Sequence, residues 1–585
     1  MYILGISCFY HDSSATLLKD GKIVAAAAEE RFTRKKHDTS FPINSIKFCL
    51  ESQNITIQEI NFIGFYEKPM IKFERFLYQN LEYFPKSYKI FLKYLPSWIN
   101  EKLRFIRIIR KKINYKKNIF FVEHHLSHAA SFLVSPFKKA AILTIDGVGE
   151  WTTTTYGTGE GNNIKLIKEI KFPNSLGLFY SSITAYLGFS VNNSEYKVMG
   201  LSAYGDMNKE TNIYYQKLKK IIDLKEDGSY RFDMNYFAYS YADKMPSKKF
   251  CELLEGSVRN KDEEITQRHK DIAAALQLIT EEILIKILNN VYQITKCENI
   301  VISGGVALNS CFNGKVLKKT PFKRVWIQPD PGDGGTSLGV AFYVYNAILK
   351  NKRNYVLNDI YLGQKFSKKE IKQFLDKNKI KYSEFKDENE LIKKTAELIY
   401  NNNVVGWFQG RFEWGPRALG NRSILANPTN KKMKETLNLK VKHREIFRPF
   451  APVVCEEDVY TYFECDKPLP IPTNFMLMVY NIRKKWKDKI PSVVHIDNSC
   501  RLQVINNKQN TLYFKLVKEF GKLSGVPILI NTSFNIRGEP IVCTPEDAYN
   551  CMMGTEIDFL ILENFLIKRE DNPKDTWDSE NYARD

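Results

Sequence analysis

Two imidazoles and two carboxylates in this chain have the types and spacing of a metal site. His124 and His128 stand four residues apart in VEHHLSHAAS, which on a helix brings both rings to one face within reach of one ion. Asp146 ends the apolar stretch AAILTID, and Asp333 lies in the turn PGDGG. Together they would make a two-nitrogen, two-oxygen site with room for a ligand, a set that suits iron, zinc or manganese equally. His125 competes for the ion, but only His124 shares a helical face with His128. The plainer reading is that HHLSH caps and packs a helix.

Two more groups invite a chemical role. His11, next to Asp12 in the first turn of the chain, has the chemistry of a general base whose ring a neighbouring carboxylate orients; otherwise it hydrogen-bonds its own turn. Further on, GRFEWGPRALGNRSILANP and KVKHREIFRPFAP carry Arg411, Arg417, Arg422, Lys442, Arg444 and Arg448 among glycines, prolines and aromatics. Arginines spaced between turn formers make a fixed cationic pocket suited to phosphate or a carbonyl-phosphate anhydride, whereas a solvated basic face accounts better for lysines. Arg501, Asn531, Ser533 and Arg537 read as polar rim groups of that pocket.

The elements that must position these residues follow from periodicity. YILGIS, a polar turn at His11 to Ser14, and SATLLKDGKIVAAAAEE read as strand, turn and hairpin, with Asp20-Gly21 at the bend. AAILTID, the turn Gly147-Val148-Gly149, and WTTTTYGTGEGNNIKLIKEI repeat the plan about 140 residues later. Two such units are how the duplicated actin-like or sugar-kinase ATPase fold begins its halves, each turn facing nucleotide phosphates. NIVISGG with Gly304-Gly305, and RVWIQPD leading into PGDGGTSLG, add two more strand, glycine-turn, helix units where backbone N–H groups can approach an anion. SLGLFYSSITAYLGF reads as a buried helix, SEYKVMGLSAYGD as a loop carrying Glu195 and Lys197, and Asp271 to Thr295 as a helix with one apolar stripe.

Residues 67–118 form an aromatic, basic, helical insertion that ends in EKLRFIRIIRKKINYKKN, where eight of eighteen residues are Lys or Arg. A solvated helical insertion is preferred to a groove for RNA. A domain boundary falls near residue 355, giving an N-terminal domain over 1–355 and a smaller mixed α/β domain over 356–585, with a polar, loosely ordered tail after about Lys568.

Composition bounds the class. The chain has 585 residues, enough for two or three domains, with 44% hydrophobic and 26% charged residues. Its net charge of +20 is spread through lysine-rich surface segments. Ten cysteines without a CxxC pair read as reduced, buried small hydrophobes. No apolar run approaches the roughly 18 to 20 residues of a membrane span, and Met1 leads straight into a strand, so the expected location is the cytoplasm.

Taken together, ILGISCFYHDSSATLL, EHHLSHAASFL, TIDGVGEW, EYKVMGLSAYGD, SGGVALN, PDPGDGGTSLG, GRFEWGPRALGNRSILANP, FRPFAP and NTSFNIRGEPIV resemble the O-carbamoyltransferase family of the nodulation and tobramycin carbamoyltransferase type. The resemblance runs through the whole chain in order. It implies an actin-like metal-binding N-terminal domain and a C-terminal domain of the threonylcarbamoyl-adenylate synthase type. By that resemblance the C-terminal domain would take carbamoyl phosphate and ATP with magnesium and form carbamoyl-adenylate. The N-terminal domain would hold the adenylate on iron(II), with His124, His128, Asp146 and Asp333 as ligands, His11 as base, and Lys197, Gly304, Gly305 and Asn309 touching the nucleotide. The carbamoyl group would pass to a hydroxyl of a small-molecule or saccharide acceptor. An acyl adenylate hydrolyses readily, so a shielded route would prevent its loss.

Three rival readings remain at this level. A tRNA threonylcarbamoylation-type enzyme shares the two folds, although no nucleic acid partner is expected. A non-catalytic ATP-binding module would have no need of the metal set and the arginines together. A plain sugar kinase would leave the C-terminal block without a task. Acceptor specificity belongs to surface loops and stays open, as does the oligomeric state.

Overall fold

The computed structural model describes residues 1–573, and these divide into two compact units. The first holds Met1–Glu29 and Thr39–Leu357, the second Glu30–Asp38 and Asn358 onward. The tail expected after Lys568 falls mostly on 574–585, outside the described residues; Lys568 itself ends a strand.

In the first unit, β1 (Tyr2–Ser7) pairs antiparallel with β2 (Ser14–Lys19), and β2 with β3 (Lys22–Ala28). Asp20 and Gly21, at φ +50° and +74°, make the two-residue left-handed turn that such a hairpin requires. On its other edge β1 runs parallel to β4 (Ile60–Phe65), which runs parallel to β5 (Ile119–Phe121). The second sheet repeats this wiring. β6 (Lys139–Ile145) pairs antiparallel with β7 (Thr152–Glu160), and β7 with β8 (Asn163–Lys171), while β9 (Asn299–Ser303) lies parallel to β6 and to β10 (Arg324–Trp326). The internal repeat therefore extends from two hairpins to two five-stranded sheets of identical order, β3-β2-β1-β4-β5 and β8-β7-β6-β9-β10. This α/β plan is the duplicated actin-like one. β1 and β6 are apolar almost throughout because each is central in its sheet.

Helices fill in around the sheets. The insertion forms α1 (Pro69–Glu82), α2 (Tyr88–Asn100) and α3 (Phe105–Ile113). Phe76 stacks on Phe91 at 5.6 Å, and Trp98 lies 5.4 Å from Phe73, so α1 and α2 pair through aromatics. The insertion is not merely solvated. On α3, Phe105, Ile109 and Ile113 recur every four residues and join the core formed by Leu4, Ile6 and Phe65, while Arg104, Arg107 and Arg110 face outward. α1 differs, since the residues it buries are Lys72, Arg75 and Asn80.

Next along the chain come α4 (His124–Ala129), α5 (Leu176–Tyr186) and α6 (Glu195–Leu201). The loop expected at SEYKVMGLSAYGD is therefore a helix: burial of Val198, Met199 and Leu201 outweighs its small residues. α7 (Gln267–Thr295) starts four residues before the expected Asp271, because Thr266 and His269 cap each other. α8 (Thr336–Phe342) follows β10 but packs on β1 and β2, where Ser14 Oγ donates to Gly334 O at 2.6 Å. That return brings the PGDGG turn beside the first turn of the chain.

The second unit is built on one nine-stranded mixed sheet. Its strands are β11 (Ser383–Glu384), β12 (Val405–Phe408), β13 (Arg422–Ala426), β14 (Ala451–Cys455), β15 (Met478–Asn481), β16 (Ser499–Ile505), β17 (Ile528–Ser533), β18 (Phe559–Leu562) and β19 (Phe565–Lys568), in spatial order β11-β19-β18-β12-β13-β17-β14-β16-β15. α9 (Glu388–Tyr400) and α10 (Thr511–Ser524) cover one face, closing a core around Trp407, Leu425, Val453 and Leu529. Residues 30–38 belong here: Arg31 donates to Gly415 O at 2.9 Å, and Arg34 to Ile541 O and Pro540 O at 2.8 and 2.9 Å. Among the described residues no helix is long and apolar enough to cross a membrane.

Candidate metal and transfer site

α4 presents both imidazoles inward. The Nε2 atoms of His124 and His128 lie 3.2 Å apart. Asp146, just past the end of β6, brings Oδ2 to 2.8 Å from His124 Nε2 and 3.4 Å from His128 Nε2. Asp333, in the turn before α8, brings Oδ1 to 3.6 and 3.5 Å from the same two atoms. One ligand atom from each of the four residues falls within 4.8 Å of the others, and all four residues are buried.

These residues fit a divalent cation. Neither oxygen of Asp333 accepts a hydrogen bond although both are shut off from solvent, a costly state for a carboxylate unless a cation balances it. Asp146 is turned the same way: Oδ1 accepts the Gly305 backbone N–H at 3.1 Å, leaving Oδ2 towards the imidazoles. Protonation supplies the balancing charge otherwise. Burial pulls the His128 imidazole down, but the carboxylates of Asp146 and Asp333 outweigh it and push it up to about 9. The same pairing holds Asp146 well below the usual carboxylate range in spite of its burial. His125 is held elsewhere, with Nδ1 2.6 Å from Thr144 Oγ1, and burial drives it well below an ordinary histidine.

His11 faces the same carboxylate. Its Nε2 is 3.7 Å from Asp333 Oδ2, and its Nδ1 donates to Asp12 Oδ2 at 2.8 Å, an arrangement that leaves Nε2 to accept a proton. Burial pulls this imidazole down too, and Asp333 and Asp12 overcome that to push it up to about 10. The turn holding it is strained at Phe9, whose φ of +74° an aromatic residue rarely adopts, while Asp12, at +53°, is of a type that enters the left-handed region more readily.

The residues assigned to nucleotide do local work. Gly304 has φ +94°, and a Cβ there would meet Ile145 O at 2.1 Å, so only glycine lets the turn pass close enough for Gly305 to reach Asp146. Asn309 accepts the Phe312 N–H at 3.0 Å and exchanges hydrogen bonds with Gln277. Lys197 is buried, its ammonium 5.8 Å from the Phe189 ring.

In the second unit the candidate residues separate into two sets. Lys442, on a buried turn, donates to Ser533 O, to Ser533 Oγ at 3.3 Å, and to Asn535 O and Oδ1 at 2.9 Å each. Burial, with Arg444 next, holds its ammonium well below an ordinary lysine. Arg444 stacks on Phe450 at 4.7 Å, and Glu445 lies 3.5 Å from Arg448 and 3.8 Å from Arg537. These residues make one basic cluster. Arg411 and Arg422 instead brace loops, Arg411 donating to Gly363 O and Leu362 O, Arg422 to Gln409 O and Gly410 O over the Phe408 ring. Asn531 is buried and donates to Gln503 Oε1 at 2.5 Å, Arg501 lies on β16, and Arg417 is half-buried in the loop before β13.

Two acids were not anticipated. Glu150 accepts the His124 backbone N–H at 3.1 Å on both oxygens and the Lys68 N–H at 2.8 Å, fixing the start of α4. It stands in TIDGVGEW beside Asp146, so proximity was its only signal. Buried Glu413 accepts N–H groups of Leu419, Asn421 and Arg422 at 2.7 to 3.1 Å and shapes the arginine-rich loop. Tyr66, 5.5 Å from the His124 ring, had no signal at all.

Comparison with known proteins joins these halves. The family model for the carbamoyltransferase N-terminus matches residues 2–342, and that for the carbamoyltransferase C-terminus matches 396–569. An uncharacterized protein of Synechocystis sp. is 44% identical over 98% of this chain and 97% of its own. Nodulation protein NolNO of Sinorhizobium fredii is 34% identical over 97% of this chain and 80% of its own. Among solved structures, a ROK hexokinase from Thermus thermophilus aligns with 60% of this chain and 100% of its own at 10% identity and a TM-score of 0.27.

Proposed function

The chain belongs to the carbamoyltransferase family, and from that premise we propose that it is an ATP-dependent O-carbamoyltransferase working in two steps. The observation that carries the reading is the convergence of His124, His128, Asp146 and Asp333 with His11 Nε2 at 3.7 Å from Asp333. In the first step carbamoyl phosphate, ATP and water give carbamoyl-adenylate, phosphate and pyrophosphate. The second unit is assigned this step, with magnesium accompanying ATP, because Lys442, Arg444 and Arg448 form a fixed basic cluster suited to phosphate.

In the second step a hydroxyl oxygen attacks the carbamoyl carbon, the carbon–oxygen bond to the phosphate of AMP breaks, and AMP leaves. A divalent cation on the four ligands, iron(II) by the family resemblance, with zinc or manganese fitting the same donors, would supply Lewis acidity towards the carbonyl or phosphate oxygen. His11 Nε2 takes the hydroxyl proton, with Asp12 holding the ring through Nδ1. An imidazole at about 10 is charged at neutral pH, so His11 becomes a base only when the carboxylate of Asp333 is neutralised. Asp146 keeps its orientation through the Gly305 N–H, and Glu150 keeps α4 in register. The acceptor is a hydroxylated small molecule or saccharide.

Carbamoyl phosphate, ATP and metal-loaded protein together should release pyrophosphate. Consumption of carbamoyl phosphate that does not require ATP would sink the reading. His11→Ala should keep pyrophosphate release and lose transfer to a hydroxylated acceptor; equal loss of both steps removes His11 as the base.

A further inference from the structure

The insertion helix α1 buries charge where an amphipathic helix buries carbon. Arg75 is only 9% exposed, yet its Nε has no hydrogen-bond partner, and among the described residues no carboxylate pairs with the guanidinium. The guanidinium lies over the Phe172 ring, 5.2 Å from its centroid. The ionisable groups whose fields reach it are Tyr10, Glu67 and Glu150. Both acids are already engaged. Glu67 pairs with Lys72 at 2.5 Å, and Glu150 accepts the backbone N–H groups of Lys68 and His124.

A guanidinium whose Nε is buried and meets no acceptor among the described residues is an unfavourable arrangement unless a group from outside the chain completes it. Its location says what. Lys72, one turn before Arg75 on α1, lies 5.0 Å over the Tyr10 ring, the Tyr10 and His11 rings meet at a tilt 4.6 Å apart, and the Tyr10 hydroxyl is acted on by Arg75 as well as by Asp333 and Asp146. Arg75 thus lies near the transfer site on its insertion side, and a planar fork of donors matches two oxygens of one anionic group.

We infer that Arg75 binds an anionic oxygen group, a phosphate or a carboxylate, of a molecule held in the transfer site. The inference rests on reading the His/Asp cluster as that site. Two molecules could bring such a group: the activated donor, through its nucleotide phosphate, or an acceptor that is itself acidic.

Calorimetric titration of the full-length, metal-loaded protein with AMP and, separately, with glucuronate tests the inference without any turnover, so failure of carbamoyl transfer and failure of this site are told apart. Arg75→Met keeps the apolar stem over Phe172 and removes the fork. It should raise the Kd of at least one probe about tenfold or more, the weight of a charge-assisted pair. Loss confined to AMP assigns Arg75 to the donor, and loss confined to glucuronate assigns it to an acidic acceptor. Arg75→Lys should recover only part of the affinity. Since the guanidinium makes no hydrogen bond or ion pair among the described residues, its removal should leave the melting temperature unchanged. Unchanged Kd values for both probes, absence of binding by the wild type, or a lower melting temperature with binding intact would each overturn the inference.

Discussion

Asp333 is the residue on which the proposed chemistry turns. A buried carboxylate that accepts no hydrogen bond and lies within 3.5 to 3.7 Å of three imidazole nitrogens is balanced by protons or by a cation. Asp333→Asn should therefore cut metal content, read by elemental analysis of the purified protein, by more than about tenfold, since an amide brings no charge to the site. The pH dependence follows from the same balance. His128 and His11 are raised from 6.5 to about 9 and about 10 in the cation-free chain. Raised values mean that their stabilising contribution is complete below 6.5 and disappears as pH climbs through 9 and 10. The melting temperature of chelator-treated protein should fall over that window. Metal binding displaces the same protons, so acid should release the ion.

At the level of elements, the site is held by ends. α4 begins where Glu150 accepts its first N–H, β6 ends at Asp146, and α8 begins one turn after Asp333. Glu150→Ala leaves the buried His124 N–H unpaired and should cost about 1–3 kcal/mol in denaturant unfolding, with weaker metal retention. The insertion offers a second comparison. Ile109 is fully buried on α3, so Ile109→Ala should cost about 2–5 kcal/mol, while Arg107→Ala on the outer face should change stability by less than about 0.5 kcal/mol. The basic run of this insertion reads as solvated because its charges dominate the count; the apolar residues every fourth position carry the packing. α1 escapes such reading altogether, since its buried face is Lys72, Arg75 and Asn80.

For the whole molecule, the division of labour predicts a complementation. Lys442→Met should abolish pyrophosphate release yet still transfer a carbamoyl group from supplied carbamoyl-adenylate, and Asp333→Asn should do the reverse. Loss of both steps in either variant would mean that the two units do not divide the reaction. How much of this was legible depends on how local each signal is. His124 and His128 share one short helix, Asp20-Gly21 closes one hairpin, and the apolar strands β1 and β6 announce two sheets, so spacing alone placed them. The ordered motifs placed Asp146 and Asp333 with them. Composition could not show that Lys442, which donates to Ser533 and Asn535 within the basic cluster, and Arg422, which donates to Gln409 O and Gly410 O, belong to different sets, because both stand among the same glycines and aromatics. Nor could it show that Gly305 orients Asp146, that residues 30–38 fold with the second unit, or that Arg75 Nε is buried with no acceptor among the described residues. The sequence by itself determined the family and the duplicated architecture and pointed to the four residues that could hold a metal, all of which are written in local periodicity and motif order. Only the tertiary structure decided which charged side chains are satisfied and which, among the described residues, are left with buried atoms unpaired, because hydrogen-bond satisfaction depends on partners brought together from distant parts of the chain.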